Sequence, residues 1–240
     1  MQDPVSFMIP ARFNGPPGMG NGGYACGRIA ALIGEQVRIR LQRPVPLDTE
    51  LFVVETADSH GVAWQVRQDA QGVALARPTK VALKAPAPPT YVEALAASKH
   101  YAGFDGHLFP TCFVCGPDRT RGDGLRIFAA SLPGTERVAA PWLPDLTLAG
   151  PDGKVRPEFI WAALDCPGYF AAVPLGLPAV LGEFTVHVDR LVHVDEPCVI
   201  VGWKLGEDGR KYRVGTALFD EDAELCAVGE ATWVALATPG

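Results

Sequence analysis

The sequence lacks the features that mark membrane, secreted and nucleic-acid-binding proteins. It has no unbroken run of about 18 apolar residues, the least that predicts a membrane-spanning helix. Its first residues carry neither a basic segment nor a long apolar run, so we expect no signal peptide. The net charge of −6 and the absence of a Lys/Arg run argue against nucleic-acid binding. These absences predict a cytoplasmic protein with no membrane and no nucleic-acid partner.

Cysteine is also scarce for a chain of this length, and two common motifs are missing. Six cysteines in 240 residues do not make a disulfide scaffold, and we expect reduced thiols. No Gly-x-Ser-x-Gly occurs, which excludes the nucleophile elbow of Ser/His/Asp hydrolases. The stretch GNGGYACG (20–27) lacks the Gly-Lys-Ser/Thr of a phosphate-binding loop. What remains is a globular chain, 48% hydrophobic, long enough for one large domain or two small ones.

An internal repeat organises this chain. The segment IRLQRPVPLDTELFVV (39–54) aligns without a gap on VHVDRLVHVDEPCVIV (186–201), and 69–83 aligns on 222–236 in the same order. Two independent ungapped matches indicate two copies of one unit. We therefore expect domains over 1–85 and 124–240, joined by a linker over 86–123. The linker begins with a Pro-rich extended stretch, continues with a short helix, YVEALAAS (91–98), and contains a Cys-x-x-Cys segment.

Both copies have the same predicted order of elements. One helix is expected at 22–34 in the first copy and at 157–165 in the second, each preceded by an earlier strand region, 5–10 in one and 125–131 with 137–142 in the other. Alternation of period two then predicts further strands, at 38–45, 50–57, 61–68 and 73–84, and at 184–192, 198–205, 210–220 and 225–236. Segregated helices and strands predict an α+β fold with the helix on one face of an antiparallel sheet.

Asp165 is an unusual residue for its position. It ends the predicted helix 157–165, directly before Cys166, Pro167 and Gly168, where we expect the helix to stop. A negative charge at that end opposes the helix dipole at a cost of about 0.3–1 kcal/mol. Helix stability therefore does not explain it. Asp165 is either a solvated surface acid or a catalytic acid or base.

The chain resembles a known family at this point. A helix entered through NGPPGMGNGGY (14–24) and followed by strands that would wrap it resembles the hotdog-fold acyl-CoA thioesterases, and two copies resemble the double-hotdog arrangement. The stretch CFVCGPDRTRGDGLRI (112–127) is similar to a segment just ahead of the domain in thioesterases of the phenylacetate-degradation type. The resemblance implies two tandem hotdog units, each an antiparallel sheet wrapped on one central helix. It implies a small-molecule acyl thioester as partner and no cofactor, with coenzyme A only as part of the substrate; a homodimer of double hotdogs stays open.

The family's helix motif is divided between the two copies. In those thioesterases the helix opens with His-Gly-Gly, and the acid follows seven residues after the second Gly. Counting back from Asp165 places Arg-Pro-Glu (156–158) at the first three positions, whereas the first copy has Asn-Gly-Gly (21–23) there and Ala30 in place of the acid. Each copy has thus kept a different half of the motif.

This division predicts one site that combines both copies. The two ends of the motif lie about 12 Å apart along a helix, so one thioester needs the start of one helix and the acid of the other. The N–H groups of Gly22 and Gly23 would form an oxyanion hole, and Asp165 would act as general base or as nucleophile, between which the sequence does not choose. Asn21 would cap the helix or donate its amide to the substrate.

The opposite pairing of helices predicts a dead site. It would join Pro157, which has no N–H, to Ala30, which has no carboxylate.

Four further residues are expected to bind substrate. Trp161 and Tyr169 would surround Asp165 and raise its pKa by desolvation. Thr185 would orient water, and Arg210, in the predicted hairpin turn 206–211, would meet a CoA phosphate.

The Cys-x-x-Cys segment has two interpretations, a metal site and a pair of free thiols. Cys112 and Cys115 have the spacing of a zinc-ligand pair, but without a second pair we expect free thiols and no metal.

Two other functions compete with the hydrolase. One is a hotdog protein that binds acyl-CoA without hydrolysing it. The other is a hotdog hydratase, which would want a catalytic His at a helix start, where neither copy has one.

Overall fold

One antiparallel sheet of eleven strands runs through residues 4–237, the part of the chain that the computed structural model describes. The strands are β1 (Val5–Met8), β2 (Val37–Leu41), β3 (Glu50–Asp58), β4 (Gly61–Gln68), β5 (Gln71–Pro78), β6 (Ala130–Ser131), β7 (Arg137–Trp142), β8 (Ala179–Val188), β9 (Cys198–Asp208), β10 (Lys211–Phe219) and β11 (Leu225–Ala235). The helices are α1 (Gly22–Ile33), α2 (Tyr91–Ser98), α3 (Pro157–Ala163) and α4 (Cys166–Ala172). No helix within 4–237 combines the length and the apolar character needed to cross a bilayer.

The spatial order of the strands is β1-β3-β4-β5-β2-β8-β11-β10-β9-β7-β6. Apart from the short β6, the strands of the two halves correspond in order when each half is followed outward from the β2–β8 junction: β2 to β8, β5 to β11, β4 to β10, β3 to β9 and β1 to β7. At this junction Ile39 lies opposite Phe184, and Arg40 lies opposite Glu183. Both Ile39 and Phe184 are fully buried, so the apolar core continues across the junction.

Irregular hydrogen bonds also recur at the aligned positions of the two halves. The N–H groups of residues 42 and 43 both donate to the carbonyl of Val73, and those of residues 189 and 190 both donate to the carbonyl of Cys226. Asp48 and Asp195, also aligned, both have left-handed backbone, with φ of 49° and 60°. Aspartate tolerates this conformation better than most residues.

Helices α1 and α3 pack against each other in antiparallel directions. A Cβ added at Gly23 would lie 2.5 Å from the Cβ of Asp165, and one added at Gly27 would lie 2.7 Å from the Cα of Glu158. Contacts that run forward along α1 therefore run backward along α3. The two glycines permit this close approach, which brings the start of α1 to the end of α3.

Most predicted elements are present, and α2 lies where it was predicted. The first helix, predicted over 22–34, is α1, and Gly34 ends it in the left-handed conformation with φ of 76°. The predicted hairpin turn lies between β9 and β10.

The prediction of one helix over 157–165 is wrong in two respects, the residue where the helix ends and the number of helices. It ends at Ala163, and a second helix, α4, starts at Cys166. Proline is tolerated in the first turn of a helix, so Pro167 begins α4 as readily as it ends α3. Each half was predicted to hold one central helix, whereas the second half holds two in tandem.

Several predicted strands are too long, and those over 5–10, 38–45 and 184–192 stop at Met8, Leu41 and Val188. Of 125–131 only Ala130–Ser131 is a strand, because the N–H groups of Leu125 and Ile127 donate instead to the carbonyls of Phe113 and Val114 in the linker. The strand predicted over 73–84 ends at Pro78, which pairs with Val37 at the first residue of β2. One more backbone hydrogen bond, from the Thr79 N–H to the Gln36 carbonyl at 3.0 Å, follows this pair.

Candidate active site

A cavity of about 920 Å³ opens between the start of α1 and the break between α3 and α4. Asn21 and Gly22 line it from one side and Asp165 and Tyr169 from the other. Much of the remaining wall is apolar. It includes Leu181 of β8, Trp233 and Val234 of β11, and Leu236 just after β11. A mostly apolar cavity of this size with a few polar groups is the usual form of a small-molecule site.

Asp165 is the buried carboxylate of this cavity. Asp165 is only 2% exposed. Its Oδ2 accepts hydrogen bonds from Asn21 Nδ2 at 2.9 Å and from the Gly23 N–H at 3.0 Å. Its Oδ1 is buried and has no hydrogen-bond partner within residues 4–237. Asp165 is therefore not a solvated surface acid, and one of its oxygens is free to bind a water molecule or a ligand.

Asn21 holds its amide in one orientation. Its Oδ1 accepts from the Tyr24 N–H at 2.9 Å, which caps the start of α1. Because the oxygen is used in this way, the NH₂ group points at Asp165. The predicted capping role is present, and the amide donates to the carboxylate of the other half of the chain.

Burial changes the acidity of Asp165. Desolvation raises its pKa to about 7, because the charged form loses its hydration. The Gly23 N–H and the Asn21 amide favour the charged form and lower the pKa, while the nearby Cys112 raises it. A carboxyl whose pKa lies near neutral pH has the acidity that general acid–base chemistry requires.

No protein-family model and no curated protein matches this chain. Solved structures do resemble it. The tesB protein of Mycobacterium avium subs paratuberculosis aligns over 96% of this chain and 91% of its own, with 15% identity and a TM-score of 0.60. A putative oleoyl thioesterase from Lactobacillus plantarum aligns over 98% of this chain and 96% of its own, with 12% identity and a TM-score of 0.57. This chain has the hotdog fold of thioesterases.

A third structure, a thioesterase superfamily protein, aligns over 46% of this chain and 54% of its own, with 20% identity and a TM-score of 0.42. Identities this low establish the hotdog fold alone, so the chemistry has to be argued from the residues of the site.

The two glycines at the start of α1 differ in what their N–H groups do. The Gly23 N–H is occupied by Asp165, so it is closed to a substrate oxygen in this arrangement. The Gly22 N–H has no acceptor within residues 4–237, and Gly22 lines the cavity. Of the two predicted oxyanion donors, only Gly22 is open to a ligand in this hotdog structure.

Of the four residues predicted to bind substrate, only one lines the cavity. Tyr169 lines the cavity, and its hydroxyl donates to the Leu177 carbonyl at 3.0 Å. The other three do not line it. Trp161 packs against Phe184 in the core, with ring centroids 5.3 Å apart, and Thr185 is buried in β8. Arg210 is exposed in the hairpin turn and bonds the Ala235 carbonyl at 3.2 Å.

The predicted dead pairing lies outside the two cavities described. Neither Pro157 nor Ala30 lines the 920 Å³ cavity or a second one of about 430 Å³. Glu158, next to Pro157, is buried and forms an ion pair with Arg156 at 3.6 Å. The two ends of the α1–α3 pair are therefore unlike, and Asp165 has no counterpart at the other end.

Sequence reasoning missed a group of thiols in the same cavity. Cys112 and Cys115 come from the linker, and Cys166 joins them from the start of α4. The Cys-x-x-Cys spacing indicated the first two. Nothing in the sequence indicated that the linker packs against α4, so the third residue could not be assigned to the group.

Proposed function

We propose that the chain is an acyl-CoA thioesterase built from two tandem hotdog units, with one composite site between them. The repeated strand order, the recurring hydrogen bonds at aligned positions and the β2–β8 junction support the two units. The domain boundaries stay at 1–85 and 124–240.

One observation carries the composite site. Asp165 comes from the second half, and both groups that bind its Oδ2, Asn21 and the Gly23 N–H, come from the first half. Neither half alone could therefore present this carboxylate in its bonded orientation. The free Oδ1 and the free Gly22 N–H belong to the same cavity.

The proposed reaction follows from these two free groups. A water molecule bound to Asp165 Oδ1 attacks the thioester carbonyl and gives its proton to the carboxylate. The Gly22 N–H stabilises the negative charge that develops on the carbonyl oxygen. When the C–S bond breaks, the thiolate of coenzyme A takes the proton, so the products are a carboxylic acid and the free thiol. Direct attack by Asp165 through an anhydride remains the alternative route.

The test compares Asp165→Asn with the wild-type protein on a panel of acyl-CoAs. Released coenzyme A should be measured by chromatography, because the protein carries thiols of its own. We expect Asp165→Asn to abolish hydrolysis while acyl-CoA binding persists, and Pro157→Ala, at the other helix start, to keep wild-type activity. Equal rates for Asp165→Asn and wild type would exclude Asp165 as the catalytic acid or base.

The second candidate function is acyl-CoA binding without hydrolysis. It is favoured by the Gly23 N–H, which Asp165 occupies and which therefore adds nothing to an oxyanion hole. Tight binding of acyl-CoA by the wild-type protein without release of free coenzyme A from any acyl-CoA of the panel would select this function.

A further inference from the structure

Three buried thiols lie together beside the candidate active site. The Sγ atoms of Cys112, Cys115 and Cys166 all lie within 4.8 Å of one another. Those of Cys112 and Cys166 are 3.8 Å apart. Four ligands at the corners of a tetrahedron, each about 2.3 Å from a zinc ion, place neighbouring sulfur atoms about 3.8 Å apart. We propose that Cys112, Cys115 and Cys166 bind one zinc ion, in place of the free thiols that the sequence predicted.

The linker turn is built to hold two of these ligands on one side. The Gly116 N–H donates to the Cys112 carbonyl at 2.9 Å, which closes the turn Cys-Phe-Val-Cys-Gly. A Cβ at Gly116 would lie 2.4 Å from the Pro110 carbonyl oxygen, so the turn requires glycine. Two cysteines separated by two residues have the spacing of a pair of zinc ligands.

Hydrogen-bond donors reach two of the three sulfur atoms, which favours thiolates bound to one ion. A zinc ion with three thiolates has a net charge of −1, which must be stabilised inside the protein. Asn21 Nδ2 donates to the Cys112 sulfur at 4.0 Å, and His107 Nε2 lies 3.3 Å from the Cys115 sulfur.

His107 is a neighbour of the cluster rather than a ligand. Its Nδ1 accepts from the Phe109 N–H at 2.8 Å, so the ring proton is on Nε2. Nε2 lies 3.3 Å from the Cys115 sulfur and donates to it. Donors of this kind orient ligands and tune metal affinity. The fourth position on the zinc ion therefore falls to water from the cavity, which all three cysteines line.

The ion would position the catalytic segment. It would join the linker to the first residue of α4, which directly follows Asp165. A disulfide between two of the three thiols is the competing outcome, but it would need a sulfur–sulfur distance of about 2.05 Å and would leave one thiol unpaired.

Metal binding is measured on the full-length protein under a reductant that does not bind metal, so its result does not depend on thioesterase activity. After removal of metal with a chelator, we expect one equivalent of Zn²⁺ to bind. Co²⁺ should give the thiolate charge-transfer absorption and the intense visible bands of a tetrahedral site. Cys112→Ser and Cys166→Ser should abolish both signals. Cys226→Ser, a buried cysteine in β11 outside the cluster, should keep them.

His107→Gln tests the outer donor. It should keep the one-to-one stoichiometry and weaken Zn²⁺ binding about 10- to 100-fold. If the serine variants fail to fold, thiol labelling of the wild-type protein replaces them: Zn²⁺ should protect three thiols, and a chelator should expose them. Co²⁺ without a charge-transfer band, Zn²⁺ that protects no thiol, or a disulfide within the cluster under reducing conditions would overturn the proposal.

Discussion

At the scale of single residues, the site depends on how one side chain amide is used. The side-chain oxygen of Asn21 accepts from the Tyr24 N–H and caps α1, and its side-chain nitrogen donates to Asp165. One residue therefore caps the helix and holds the carboxylate. Burying a carboxylate is costly unless hydrogen bonds stabilise it, and Asn21 supplies one of the two that Asp165 receives. The cap stabilises α1, whereas the donation orients Asp165. These two roles can be separated by substitution.

Asn21→Ser should separate them. Serine caps a helix about as well as asparagine. We therefore expect the free energy of unfolding to fall only by the roughly 1–3 kcal/mol that a buried group costs when it loses a hydrogen-bond partner. Serine cannot extend an amide to Asp165, so the carboxylate loses one donor and turns more freely. Hydrolysis should fall on the order of 10- to 100-fold, since misplacing a catalytic group costs rates of that order.

The control for this variant is Asn21→Ala, which removes both roles and should lose about 1 kcal/mol more stability than Asn21→Ser, as well as activity. Thermal unfolding and steady-state kinetics measure the two effects. Full activity in Asn21→Ser would contradict an anchoring role for the amide.

At the scale of elements, the site is set by how closely two helices approach. Gly23 and Gly27 lie one turn apart on the face of α1 that meets α3, and neither has room for a Cβ. The distance between these helices therefore decides whether the Gly23 N–H reaches Asp165.

Gly23→Ala should accordingly cost both stability and activity. Its new Cβ would lie 2.5 Å from the Cβ of Asp165, so the helices must separate or Asp165 must move. Overpacking of this kind costs about 1–3 kcal/mol, and we expect hydrolysis to be lost because the carboxylate is displaced. Denaturant unfolding and the hydrolysis assay measure the two losses.

Gly27→Ala is the matched variant. It should cost comparable stability, since its Cβ would lie 2.7 Å from the Cα of Glu158, but this contact is one turn away from Asp165. We expect it to retain more activity than Gly23→Ala. Equal activity in the two variants would show that the separation of the helices, and not the contact at Asp165, determines the rate.

The elements themselves differed in how well the sequence predicted them. Helix α1 has a cap at Asn21, an apolar face and a terminating Gly34, all of which are local signals. The break at Asp165 also had a local signal in Pro167, but the start of α4 in the next turn depends on burial that a local pattern does not report. The strand expected over 125–131 failed for a related reason, since its N–H groups bond a distant part of the linker.

The candidate site was predictable only in part for the same physical reason. The divided helix motif placed Asn21 and Gly23 against Asp165, and the structure brings these three together. Trp161 shows what the sequence does not predict. It is close to Asp165 in sequence, but the turn of the helix points it into the core and away from the cavity. Cys166 shows it again, because its partners come from the linker and their approach is a tertiary event.

At the scale of the whole molecule, the two halves of the chain are alike in their sheets and unlike in their sites. Asp165 with Asn21 and Gly23 stands at one end of the α1–α3 pair, and the equivalent end has Pro157 and Ala30. In the proposed architecture of two tandem units, duplication would provide two equivalent positions, and only one of them would keep groups for chemistry. A symmetric homodimer of single hotdog units would have both.

This asymmetry predicts that one acyl-CoA binds per chain. Isothermal titration of Asp165→Asn with the best substrate found should give a stoichiometry of one, because neither Pro157 nor Ala30 lines either of the two cavities described. The double variant Ala30→Asp with Pro157→Gly restores a carboxylate and an N–H at the empty end, but it adds no room for a ligand. Its stoichiometry should therefore remain one, and its hydrolysis rate should remain that of the wild-type protein. Two bound ligands per chain in either variant would mean that a second site exists and that the pairing of Asp165 with the first half does not define the only place for substrate.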